Sequence, residues 1–263
     1  MKTGALIFAY NNTAVNYVNM AAWSAQRIQK WLDIPVTLVT DQPVGHAVFD
    51  QVLLSDRVDG NTRHYRDFDD HHAWYNMDCC DALSLSPYER TLVIDADYVV
   101  NSDALRIWLH HGPHFVSHRH AFDVVKQQRF NQHFGAHDMP QWWATVMIFD
   151  RSRATDMIFR SMKMIRDNWS HYVDIYKIHR NTFRNDYALS VALALTSGHS
   201  LVSQDLPWDL FSIMPEHDIK MLDDHAWQVG FSDQGKSRYI VLRDVDFHAM
   251  GKRQLGDIIA NQG

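Results

Sequence analysis

The segment that most restricts the possible folds runs from Gly4 to Asp41. GALIFAY, Gly4–Tyr10, is a mostly apolar run of strand length. VNYVNMAAWSAQRIQKWL follows, with Val15, Val18, Ala22, Ala25, Ile28 and Leu32 at helical spacing. A second apolar run, Pro35–Thr40, then ends at Asp41. Parallel neighbours need a crossover, and a helix between two strands supplies it, so this unit builds a parallel sheet. The expected fold is α/β, with a mostly parallel central sheet flanked by helices.

The rest of the chain extends the pattern. His71–Leu85 reads as a second helix stopped near Pro87, and Thr91–Asp97 as the next strand. His114–His118 and Ala144–Asp150 read as two further strands, with helices over Ser152–Trp169 and Asn185–Leu195. Arg238–Met250 reads as late extended structure and Lys252–Ala260 as a terminal helix. A chain of 263 residues, 46% of them hydrophobic, can bury a full core.

Composition excludes some roles. No run of about 18 apolar residues appears, so no membrane span is expected. The N-terminal MKTGALIFAYNN lacks a small-residue cleavage site and reads as a first strand and not a signal peptide, so a cytoplasmic setting is expected. The only two cysteines, Cys79 and Cys80, are adjacent, which is poor geometry for a mutual disulfide, and they read as buried thiols. The formal charge of −6 argues against a nucleic-acid partner, but it is unevenly spread. Arg151–Arg184 holds eight Lys/Arg and three Asp, a local +5. Such a patch marks either an anionic partner or a solvated helix face. The adjacent pairs His71–His72 and His110–His111 lack the i,i+4 spacing of a helical zinc site and read as helix ends and surface.

The chemistry concentrates in SPYERTLVIDADYVVNSDAL, Ser86–Leu105. A core strand exits there onto Asp95 and Asp97 with only Ala96 between. In open α/β sheets the C-terminal strand ends carry the site. Strand residues two apart share a face, so both carboxylates aim the same way. Two like charges at that spacing are costly unless a cation sits between them. A hard divalent ion, Mg²⁺ or Mn²⁺, takes few protein oxygens and keeps positions open for phosphate oxygens.

Several phrases in order resemble nucleotide-sugar glycosyltransferases of the GT-A fold, most nearly the family 8 type. IFAYNN resembles the first strand and nucleotide-contacting loop, VTLVTD the second strand with its closing Asp, and SPYERTLVIDAD the approach to the metal-binding acids. TVMIFDRSRA is similar to the strand after the sugar pocket, RNDYALSVAL to the Asp-Gln-Asp helix start, and FHAMGKRQL to the C-terminal His-x-x-Gly-x-x-Lys segment. The resemblance implies one Rossmann-like GT-A domain over 1–263, with a nucleotide-binding half at 1–100 and an acceptor-binding half with the C-terminal metal and phosphate segment at 101–263. It implies transfer of a sugar from a UDP-sugar to an acceptor hydroxyl, with Mn²⁺ or Mg²⁺ on Asp95, Asp97 and His248. It also implies that Gly251 and Lys252 meet the diphosphate. Here the Lys directly follows Gly251, so Lys252 or Arg253 takes the phosphate role. Tyr10 and Asn11 are expected at the base, Asp41 at a ribose hydroxyl, and Arg66 in a polar loop over the diphosphate. WWAT replaces the usual Asn-x-Gly, and Trp142 and Trp143 are expected against a sugar face. Asp186 stands where the family has Gln and can act as base, nucleophile or orienter.

Ser86–Leu105 also resembles transferase-like proteins encoded by tailed phages. That resemblance makes a hydroxymethylated base in DNA a candidate acceptor, with Arg151–Arg184 facing its phosphates. A lipopolysaccharide-type saccharide and a protein hydroxyl are the competing acceptors. Two other functions fit parts of the chain. LVIDADYV with Asp223–Asp224 is similar to a haloacid-dehalogenase-type phosphatase, although its first motif normally opens the chain. A nucleotide- or sugar-binding module without turnover would share the same binding residues.

Overall fold

The computed structural model describes residues 2–56, 61–66, 68–179, 182–198 and 205–262. Strand β1 (Thr3–Phe8) leads to helix α1 (Tyr17–Leu32), β2 (Val36–Thr40) and β3 (Gln51–Leu54), the expected parallel unit with one strand more. Helix α1 starts where the Asn16 side chain accepts from the Asn19 N–H at 3.0 Å, and stops at Asp33 in the left-handed region. Gly4 is required where it stands, because a Cβ there would overlap the Tyr88 ring, whose hydroxyl bonds Thr37 at 2.8 Å.

Residues 71–85 depart from expectation. His71 and His72 lie in a hairpin of β4 (Thr62–Tyr65) and β5 (Asp70–Ala73), and only a 3₁₀ turn at Asp78–Asp81 and a short α2 (Ala82–Leu85) are helical. Aromatic packing overrides the apparent periodicity: His64 meets His71 edge to face at 5.0 Å, and His72 packs on Tyr65 at 5.7 Å. Cys79 and Cys80 are buried free thiols as expected, and burial pushes the Cys80 pKa up to about 12.

The chain then forms β6 (Arg90–Ile94), β7 (Tyr98–Val99), α3 (Arg106–His111), β8 (Phe115–His118) and β9 (Ala121–Asp123). Short strands β10 (Gln128–Arg129), β11 (His133–Phe134) and β12 (Met139–Pro140) precede β13 (Trp143–Asp150). Helices α4 (Arg153–Asp167), α5 (Trp169–Tyr176) and α6 (Asn185–Thr196) follow. Strands β14 (Leu210–Ile213), β15 (Asp218–Asp223), β16 (Ala226–Asp233), β17 (Lys236–Arg243) and β18 (Phe247–Ala249) come before α7 (Lys252–Ala260).

The central sheet has the order β3-β2-β1-β6-β13-β8. Its first four strands are parallel, and β13 runs antiparallel to both neighbours. One apolar cluster joins α1 to the sheet, and another joins α4 and α6 to its opposite side. A second sheet, β10-β9-β14-β18-β7, ties the chain's late strands to the residues just after β6. The antiparallel meander β15–β17 lay unseen in the sequence apart from its last strand. No helix among the described residues is long and apolar enough to cross a membrane.

His118, at the end of β8, is fully buried, and its Nδ1 lies 3.0 Å from the Trp208 carbonyl. A carbonyl only accepts, so Nδ1 carries the proton of a neutral ring. Burial pushes the His118 pKa down to about 4, against the opposing pulls of the Trp208 carbonyl and Asp209. The unfolded chain takes up this proton near pH 6.5, so the stability contributed by the neutral ring is complete above that pH. It is lost as the pH falls toward 4, by about 3 kcal/mol. His118→Asn keeps a donor for Trp208 but cannot titrate. Urea unfolding at pH 7 and pH 4.5 is expected to show a smaller acid loss in the variant, by about 2–3 kcal/mol. Equal losses in both proteins would remove His118 as the cause.

Candidate active site

Asp95 immediately follows β6, and its N–H donates to the Thr145 carbonyl of β13 at 3.0 Å. The strand has already ended there, so strand alternation is not what aligns the two acids. The Tyr98 N–H donates to the Asp95 carbonyl at 3.0 Å, and this turn carries Asp97 round to the same side. β7 then pairs antiparallel with β18, setting His248 opposite Tyr98. The Ala249 N–H closes on the Asp97 carbonyl at 2.9 Å. One ligand atom from each of Asp95, Asp97 and His248 falls within 4.8 Å of the others.

His248 Nε2 lies 3.2 Å from Asp97 Oδ2, and Lys252 Nζ is ion-paired with the same oxygen. Lys252 reaches it from the first residue of α7, whose N-cap is Gly251. Burial raises a carboxyl pKa, but Lys252 first and His248 second hold Asp97 well below the usual carboxylate range. Burial, with the charges of Asp97 and Asp186 behind it, pushes Asp95 well above that range. Two carboxylates and an imidazole converge just beyond the C-terminal end of β6, a donor set that fits a hard divalent ion. A bound cation would reverse the cost of charging Asp95.

These residues open onto a cleft of about 900 Å³. Tyr10, Arg66, Asp95, Asp97, Trp143, Asp186, His248 and Lys252 line it, whereas Asn11, Asp41, Trp142 and Gly251 do not. Tyr10 is 4% exposed, and its hydroxyl donates to Asp78 at 3.0 Å, so the hydroxyl is already engaged. Asn11 accepts from the Val18 N–H at 3.0 Å and shapes the entry to α1. Asp41 lies just past the end of β2. Trp142 is core, its N–H on Ser190 Oγ at 2.7 Å, while Trp143 packs on Phe130 at the cleft. Arg253 stacks over Phe68 at 4.8 Å. Asp186 opens α6 and accepts from the Ala144 N–H at 3.0 Å and from Arg184 at 2.7 Å, tying the helix to β13.

On α4 the basic segment is the solvated helix face, its exposed Arg160 and Lys163 paired with acids at the surface. Arg160 pairs with Asp156 at 2.9 Å, and Lys163 with Asp81 at 2.9 Å. Arg166 also binds Asp81, and Arg151 binds the carbonyls of Ser86 and Tyr88. Arg184 turns into the cleft, and Arg180 lies outside the described residues. The residues that sequence reasoning missed are Arg63, Trp74 and Asn76, which line the cleft, along with the cleft role of Arg184. Thr62–Tyr65 carries no apolar alternation, so the sequence offered no periodic signal for Arg63.

The phosphatase reading loses its second acidic pair. Asp224 sits 2.6 Å from Lys30, and Asp223 is 3.9 Å from Arg243 on the meander, and neither lines the cleft.

No family model and no curated protein matches the sequence. Among solved structures, the chain is similar to the glycosyltransferase GlyE of Streptococcus pneumoniae TIGR4, at 11% identity and a TM-score of 0.43. That match covers 82% of this chain and 46% of GlyE, so the chain spans less than half the length of that protein. It is also similar to the galactosyltransferase LgtC in complex with donor and acceptor sugar analogs, at 12% identity and a TM-score of 0.39, covering 73% and 69% of the two chains. Similarity at this level assigns no chemistry, which rests on the residues of the cleft.

Proposed function

We propose that this protein is a metal-dependent glycosyltransferase that moves a sugar from a UDP-sugar to an acceptor hydroxyl. The observation that carries the reading is the convergence of Asp95, Asp97 and His248 beside Lys252 at the C-terminal end of β6. Asp95, Asp97 and His248 would hold Mn²⁺ or Mg²⁺, and the ion would supply positive charge to the diphosphate oxygens. Lys252 adds a fixed ammonium on the same side, where charge develops on the leaving diphosphate as the glycosidic bond breaks. Asp186, with both oxygens engaged by the Ala144 N–H and Arg184, would act near the anomeric carbon as an orienting group. The uracil specificity follows the sequence resemblance, with Tyr10 at the floor. A saccharide is the acceptor class that a cleft walled by polar groups and Trp143 suits. A hydroxymethylated DNA base draws no support from α4, where Arg160, Lys163 and Arg166 are engaged with Asp156, Asp81 and Asp167.

Thermal melting with UDP, with and without Mn²⁺, tests the reading. UDP is expected to raise the Tm only when Mn²⁺ is present, and a UDP-sugar is expected to undergo slow hydrolysis under the same condition. Stabilisation by UDP that is equal with and without metal would overturn the metal role. Metal-dependent binding with no turnover of any UDP-sugar would leave a binding module instead of an enzyme.

A further inference from the structure

Two arginines give the cleft a wall that the proposed metal and leaving-group chemistry does not use. Arg63, on β4, lays its guanidinium 3.4 Å from the centre of the Trp74 ring, which fixes the plane of the fork. Its side chain makes no hydrogen bond and no ion pair with any described residue, and its Nε is enclosed without an acceptor. The terminal nitrogens of Arg63 are not enclosed, and the residue lines the cleft. Arg184 commits one terminal nitrogen to Asp186 and also has an enclosed, unpartnered Nε. Asn76 Oδ1, in the same lining, has no donor among the described residues.

Two of the three acids lining the cleft are ion-paired, and the third, Asp95, belongs to the metal-ligand set. Asp97 faces Lys252 and His248, Asp186 faces Arg184, and the nearby Arg129 turns to Asp209 at 3.1 Å. Arg63 is left as a surplus cation in a partly buried site. Burial first and the charge of Arg184 second push its pKa down to about 10, so it stays charged at neutral pH. Burying a charge without a partner is costly, and such groups in a cleft mark a missing ligand. A flat fork with two free terminal nitrogens matches a carboxylate in bidentate geometry.

We propose, building on the sugar-transfer reading, that Arg63 and Arg184 select an acidic saccharide by binding a sugar carboxylate in the cleft they line with the metal ligands. The carboxylate belongs either to the sugar of the donor or to the acceptor.

Ligand-observed NMR on the metal-free, nucleotide-free protein tests this with glucuronate and glucose at equal concentration. Glucuronate is expected to bind at least tenfold more tightly than glucose. Arg63→Gln is expected to bring glucuronate down to the level of glucose, and Arg63→Lys to restore part of the difference. Affinity for UDP with Mn²⁺ is expected to stay within twofold in Arg63→Gln. Equal binding of the two sugars by the unaltered protein would overturn the proposal. So would an equal loss of UDP affinity in Arg63→Gln, which would place Arg63 on the diphosphate. Competition then separates the two sources. Tighter binding of UDP-glucuronate than of UDP-glucose puts the carboxylate on the donor, and glucuronate binding to protein saturated with UDP and Mn²⁺ puts it on the acceptor. Glucuronate binding in a protein that takes up no UDP would keep the acidic-sugar site and remove the transferase reading.

Discussion

Asp97→Asn is expected to lower sugar transfer and donor hydrolysis by at least about a thousandfold, roughly 4 kcal/mol of transition-state stabilisation. The side chain is nearly isosteric, and its oxygen can still accept from Lys252, so circular dichroism and melting should show a folded protein. What disappears is one negative ligand in a set of three whose atoms lie within 4.8 Å. The Mn²⁺-dependent part of UDP binding should vanish with it. Turnover within tenfold of the unaltered protein would remove the metal assignment, whatever the fold of the variant. The test is sharp because Asp97 is 6% exposed and meets both Lys252 and His248, so the substitution acts at the centre of the set.

Lys252→Met is expected to lower kcat by about a hundredfold, close to 3 kcal/mol, while the acceptor KM stays within about twofold. Met keeps much of the buried stem and deletes the ammonium. Charge on the diphosphate grows as the bond breaks, so an ammonium aimed there counts more in the transition state than in the ground state. Lys252 is well placed for this, being 14% exposed and held on Asp97 at the start of α7. If kcat were unchanged and only the acceptor KM rose, Lys252 would belong to the acceptor site and the phosphate role would be wrong.

Periodicity and residue type made part of this protein legible before any coordinates. The β1–α1–β2 unit, β6, α4, α6 and α7 all follow from local apolar spacing, because burial on one face imposes a repeat that short windows can read. The acids at the end of β6 were legible for the same reason, since an apolar run that stops on two carboxylates has few structural uses. The stretch 71–85 failed because its aromatics and histidines pack against β4, a partner that no window over that stretch contains.

The sequence by itself determined the α/β class, the order of the main elements and the identity of Asp95, Asp97, His248 and Lys252 as a possible set. Tertiary structure alone decided that they meet. His248 reaches Asp97 across 151 residues only because β18 pairs with β7, and the two acids face one way because of a turn and not strand alternation. It also decided how the basic residues of 151–184 are used, turning Arg184 into the cleft beside Arg63 while Lys163 and Arg166 close on Asp81. Charges act through distance in space, and a sequence records only distance along the chain. Arg63 stands as a surplus cation because Asp186 and Asp97 close on Arg184 and Lys252 instead.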